Sequence, residues 1–212
     1  GDTAYSDKAD AILNHVLNEE NYWSLNNGNH CTSSGCTALQ LLAAYKNYRG
    51  AETVPYGIVA WDLTPFVEAA KLSGNSLFAQ DIANEIKSYL DQPTYTETTG
   101  DYELGLSSGI RALKLEGMDY SSYLTKLLAK QQGDGSFASP NYPNEHIQST
   151  AYALMALSSA LDVPASGNAA SYLLSNFGYP PDFDGWLEDG VEYSEVTSEA
   201  AQALFEWSFP PQ

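Results

Sequence analysis

Acids, imidazoles and tyrosines in this chain collect in the short polar stretches that precede helical segments. His30 stands in one and Asp101, Tyr102 and Glu103 in a second. Tyr142, Glu145 and His146 form a third, and Asp182, Asp184, Glu188, Glu192 and Tyr193 the last, with Trp186 among them. Three kinds of chemistry are open to such groups. Carboxylates at a helix start satisfy its free N–H groups and suit its dipole, which is their simplest use. Tyrosine, tryptophan and carboxylates together also make a rim for hydroxyl-rich or cationic ligands. An acid/base pair, such as Glu145 with His146 or Glu192, is the third use, although no spacing isolates a nucleophile or two tuned carboxylates.

The same residues have plainer roles. His146 lies between Glu145 and an apolar segment, where an imidazole serves as a hydrogen-bonder at the helix start. Trp23, Trp61, Trp186 and Trp207 are of the kind that fills cores, although Trp186 falls in a loop. The Asp182–Glu192 stretch holds five acids, enough for calcium, but its Gly185 comes too early for a calcium loop. Cys31 and Cys36 are the only cysteines, in His30-Cys31-Thr32-Ser33-Ser34-Gly35-Cys36. Zinc sites favour tighter pairs and a fourth ligand. A short disulfide loop at the start of the next helix is the preferred reading, ahead of free buried thiols. It would place the protein in an oxidising compartment.

The elements that position these groups are helices. Ile147, Thr150, Ala151, Leu154, Ala156, Leu157 and Leu161 recur at three- and four-residue steps, the mark of a helix with a broad apolar face. Small residues mixed among the large ones let neighbours approach closely. The preceding segment, Ser121 to Gln132, has apolar Tyr123, Leu124, Leu127 and Leu128, with Lys126 and Lys130 facing away, as in an outer helix with one wet side. Asp134-Gly135 ends it in a turn, and Phe137 is placed to pack back over the helix end.

Versions of this unit recur. Helices are expected over 6–18, 37–48, 56–72 (with a boundary or kink at Pro65), 76–91, 103–115, 165–177 and 194–208. The inner-type helices register on Ala43, Ala112, Ala156 and Ala203. Ala112 to Ala156 is 44 residues and Ala156 to Ala203 is 47. Six residues before that alanine stand Thr37, Leu106, Thr150 and Thr197. A helix–loop–helix recurrence of about 45 residues marks an α-helical repeat array. No alternating β signal competes with it.

Composition narrows the class. The 212 residues are 43% hydrophobic, enough for a sizeable core in one domain or one array. No apolar run approaches the length of a membrane span. The net charge of −18 comes from 27 acids against 9 basic residues, a surface that repels nucleic acid, anionic lipid and polyanionic substrates. Many tyrosines, few lysines and no Asn-x-Ser/Thr sequon fit an exported, prokaryotic, secreted or cell-surface protein. The closing Phe-Pro-Pro-Gln reads as a domain edge.

Leu127-x3-Gln131-x3-Gly135-x-Phe137 resembles the "QW" repeat of the α/α-toroid superfamily, which contains squalene and terpene cyclases and protein prenyltransferase β-subunits. Gln148–Ala160 is similar to their inner helices, and Asp184-Gly185-Trp186 with the helix after it looks like a second, degenerate copy. The resemblance implies an α/α-toroid-like array over residues 1–212, clear over 79–209 and weak before. It places the polar loops at the barrel mouth, where Tyr102, Glu103, Tyr142, Glu145, His146, Trp186, Glu192 and Tyr193 are the expected ligand contacts. The family's chemistry does not carry over. Where prenyltransferases hold zinc, this chain has Glu195, Thr197 and Ser149. Asp182-x-Asp184 is followed by Gly185 rather than by the acid of a protonating cyclase, and Gln40 stands four residues after Cys36 where a thioester domain has three. The expectation is therefore a module of a larger surface protein that binds a small molecule, glycan or protein, without catalysis, metal or cofactor. The rivals are an enzyme of the same superfamily acting on an isoprenoid or glycan, and a structural spacer.

Overall fold

Ala151, Ala153, Ala156 and Ser158 set small side chains around the segment 146–160, and all four are buried. Helices can therefore pack against it from several sides. The computed structural model describes Leu42 and residues 60–99, 102–138, 144–178 and 185–209. The expected helix over 6–18, that over 37–48 apart from the helical Leu42, the Cys31–Cys36 loop, and His30, Asp101, Tyr142, Asp182 and Asp184 lie outside them. Among the described residues are seven helices: α1 Ala60–Leu72, α2 Ser76–Leu90, α3 Tyr102–Leu115, α4 Ser121–Leu128, α5 His146–Ala160, α6 Val163–Ser175 and α7 Ser194–Ser208. A hairpin of two two-residue strands, β1 Leu187–Glu188 and β2 Val191–Glu192, precedes α7. The described residues are all-α apart from this hairpin, which the lack of an alternating pattern did not announce. It forms two compact units, Gly1–Tyr89 and Leu90–Gln212.

In the first unit α1 runs through Pro65, expected as a boundary or kink, without ending there. The helix closes where Asn75 N–H donates back to Ala70 O over Gly74, at φ +80°. Asn75 then caps α2 through Oδ1, which accepts from Phe78 N–H.

In the second unit α5 lies between α3 and α7, α4 packs on α3, and α6 packs on α5 and α7. The apolar stripe of α5 is Ile147, Ala151, Leu154 and Leu157. Leu161, expected on that stripe, is instead the left-handed residue (φ +60°) that closes the helix, with its side chain 67% exposed. Asp162 N–H donates to Leu157 O there, and the Asp162 carboxylate caps α6 by accepting from Ala165 N–H.

α4 also ends earlier than expected, at Leu128 rather than Gln132. Lys130 and Gln131 N–H reach back only three residues, to Leu127 and Leu128 O, and Gln132 N–H turns outward to Ser136 O. The turn then seats on α6. Gln131 Nε2 donates to both Gly135 O and Ala165 O. Gly135 has φ +93°, and a Cβ there would strike the Asn168 backbone, so glycine is required at this contact.

One clamp recurs between loop and helix. Phe137 N–H donates to Thr150 Oγ1 at 2.9 Å, and Thr150 Oγ1 donates back to Phe137 O at 3.4 Å. Trp186 makes the same pair with Thr197, at 3.3 and 3.4 Å. Gly178 N–H donates to Gly185 O as Gln132 N–H does to Ser136 O. The two repeats share a backbone connection as well as a sequence register.

Candidate functional site

The clamp fixes where α5 begins, and four titratable groups gather around its first turn. The first comes from the Gln131–Phe137 turn. Asp134 Oδ1 accepts from Ser136 Oγ at 2.7 Å and Ser136 N–H at 3.0 Å. These bonds, with a smaller contribution from the charge of His146, hold its carboxyl below the ordinary range.

The second group, Glu188, is delivered by the hairpin. Asp189 (φ +48°) and Gly190 (φ +75°) make a two-residue turn of the kind that joins tightly twisted strands. Leu187 pairs with Glu192, and Glu188 with Val191. Glu188 is only 4% exposed. Its Oε2 accepts from Ile147 N–H at 2.8 Å, so it caps α5 from another part of the chain. Burial raises its carboxyl to about 7, against the lowering effect of the Ile147 and Gln148 N–H bonds; the charges of Glu145 and Asp189 raise it further.

His146 and Tyr172 complete the group. Their rings lie 6.3 Å apart between centroids, tilted by 37°. The Tyr172 phenol is raised by burial first, and then by the charges of Asp134 and Glu188. Glu188 Oε1 and His146 Nδ1 are both buried and have no hydrogen-bond partner among the described residues. A buried polar atom left in this state costs about 1–3 kcal/mol, so among the described residues the first turn of α5 retains unused bonding capacity.

The expected ligand contacts divide accordingly. Glu145 and His146 are half-buried at the start of α5, and Glu188, read from the sequence as one acid among several, joins them. Tyr193 is half exposed at the residue preceding α7. Glu192 pairs through its backbone in β2, and its side chain is outside the described set. Tyr102 and Trp186 are not rim residues. The Tyr102 ring is buried 5.1 Å from that of Tyr95, whose hydroxyl donates to Tyr102 O. Trp186 is 5% exposed, with its indole N–H bonded to Leu173 O at 2.7 Å and its ring edge-on to Phe177. Glu103 is fully buried in α3. Tyr102 and Trp186 are aromatic because each packs a loop against a helix.

A second polar array crosses α3, α5 and α7, and meets this site at Gln148. Arg111 pairs with Glu206 at 3.3 Å and donates to Met155 Sδ, while Lys114 reaches Ser159 O. Tyr152 Oη and Gln148 Nε2 both donate to Glu199, at 2.9 and 3.0 Å. Burial raises the Glu199 carboxyl and, with the Glu199 charge, the Tyr152 phenol. Gln148, Tyr152, Met155 and Ser159 share one face of α5 by the helical period, as do Glu195, Glu199, Gln202 and Glu206 of α7.

Among the described residues no cluster of three or more His, Cys, Asp or Glu is placed to hold a metal ion. None of the described helices is long and apolar enough to cross a membrane. No protein-family profile, curated protein or solved structure matches this chain.

Proposed function

We propose that the chain is an exported, α/α-toroid-like helical-repeat module that binds a ligand where α5 begins, at the mouth of the repeat array, without chemical turnover. The observation that carries this reading is Glu188 Oε1, buried and, like His146 Nδ1 at the same helix start, without a hydrogen-bond partner among the described residues. Helix capping accounts for one oxygen of that carboxylate and leaves the other free to meet a ligand. The array reading is supported by the α3–α5–α7 layer and by the recurring threonine–aromatic clamp. An isoprenoid enzyme would line that layer with apolar and aromatic side chains. Arg111, Tyr152, Glu199 and Glu206 fit such a lining poorly.

The test is a thermal-shift panel of small polyols, sugars and amines on the full chain and on Glu188→Gln. A compound that raises the melting temperature of the wild type and not of the variant supports a binding site here. A panel without any such compound refutes it.

One observation favours an enzyme of this superfamily acting on a glycan. The Asp134 carboxyl is lowered while that of Glu188 is raised, the divergence that separates a base from an acid at neutral pH. Mass spectrometry of each stabilising compound after incubation distinguishes the two readings, because turnover changes its mass and binding does not.

A further inference from the structure

The charges around Glu188 select among ligand classes. Those acting on its carboxyl, Glu145 and Asp189, share its sign. Across the cluster, Asp134 and Glu188 both act on Tyr172 as negative charges. His146, from the start of α5, is the one basic side chain in the group, and its effect is on Asp134. An anion entering here meets repulsion from four carboxylates, and the helix dipole that would attract it is already capped by Glu188. A neutral polyol finds hydrogen bonds but gains nothing from the field. A cation finds both, together with the face of the half-buried Tyr172 ring.

We propose that this site takes a protonated primary amine, one N–H of which donates to the unpartnered Glu188 Oε1. The proposal rests on the binding function proposed above and adds the class of ligand. The ammonium group has three donors and no acceptor. One donor meets Oε1, and the others face the half-buried Glu145 and the exposed Asp134. The apolar stem of the amine lies toward Tyr172 and the imidazole of His146. Complex formation replaces the proton of Glu188 with the charge of the amine, so binding releases that proton. With a carboxyl that titrates at about 7, roughly nine-tenths of a proton leaves per amine at pH 6 and about one-tenth at pH 8. The same linkage makes binding about tenfold tighter at pH 8 than at pH 6.

Isothermal titration of the full chain with n-butylammonium chloride, against sorbitol as the neutral probe, tests the proposal. Two buffers of different ionisation enthalpy count the protons released. The expected result is butylammonium binding that tightens about tenfold from pH 6 to pH 8. Glu188→Gln, shown by its melting curve to be folded, loses both the binding and the pH dependence. Glu145→Gln, altered at a half-buried rim position, weakens binding several-fold. Butylammonium binding that is unchanged in Glu188→Gln, or independent of pH, overturns the assignment. Sorbitol bound in a Glu188-dependent way, with butylammonium inert, overturns the amine while keeping a ligand site at α5. Neither probe bound by the wild type overturns the amine, and the wider panel above then decides the binding function.

Discussion

Replacing Glu188 by glutamine should remove a pH dependence of stability that the buried carboxyl imposes. In the unfolded chain this carboxyl titrates near its ordinary value of 4.5; in the folded protein burial raises it to about 7. Between those values the native state holds a proton that the unfolded state has released. By linkage, stability from this group is fully present below pH 4.5 and is lost as pH rises through 7. The separation of about 2.5 pH units, at about 1.36 kcal/mol each, corresponds to about 3 kcal/mol. Glutamine keeps an oxygen for the Ile147 N–H and cannot ionise, so it does not suffer this loss. The assay is urea denaturation of both proteins, followed by circular dichroism at pH 4.5 and pH 8. The variant should gain about 3 kcal/mol relative to the wild type between the two conditions. A stability difference that stays constant across that window would refute the burial argument, because the carboxyl would then titrate alike in both states.

Thr150→Val keeps the shape of the threonine but leaves the buried Phe137 N–H unsatisfied, and should cost about 1–3 kcal/mol. Thr197→Val should cost a similar amount at Trp186, and urea denaturation of the singles and the double should show nearly additive losses, because the clamps belong to different repeats. Leu161→Gly should stabilise the protein by about 1 kcal/mol, since glycine accepts φ +60° without the steric cost that leucine meets there; a lower melting temperature would contradict this. Gly135→Ala combines a positive φ with a Cβ against the Asn168 backbone, and should lower the melting temperature more than either threonine variant.

Periodicity made the helices legible. α2, α3 and α7 begin and end within about a residue of where their apolar spacing and flanking turn residues place them. The register of Thr150 and Thr197 was visible as well, but not its purpose, because the clamp joins residues 13 and 11 positions apart. α4 was read too long because Gln131 and Gln132 have helical propensity, and only the loop shows that Gln132 N–H bonds elsewhere. The hairpin escaped notice because two-residue strands are too short to alternate; Asp189-Gly190 was its one signal. That omission hid the special place of Glu188. Among several acids in one stretch, Glu188 is carried into the protein as the cap of a helix 41 residues earlier. Trp186 and Tyr102 misled in the opposite direction, since an aromatic in a loop looks the same whether it faces solvent or the core.

The threonine–aromatic clamp also bears on how such a protein can change. A single hydroxyl grips both backbone groups of the aromatic, so the connection is made at one point and does not depend on the path between. In one repeat that path contains Tyr142, Glu145 and His146; in the other it contains a hairpin that delivers a carboxylate to the neighbouring repeat. The clamp therefore acts as a socket into which segments of different length and chemistry can be fitted. New recognition surfaces can be tried in that interval while the helices beneath keep their register.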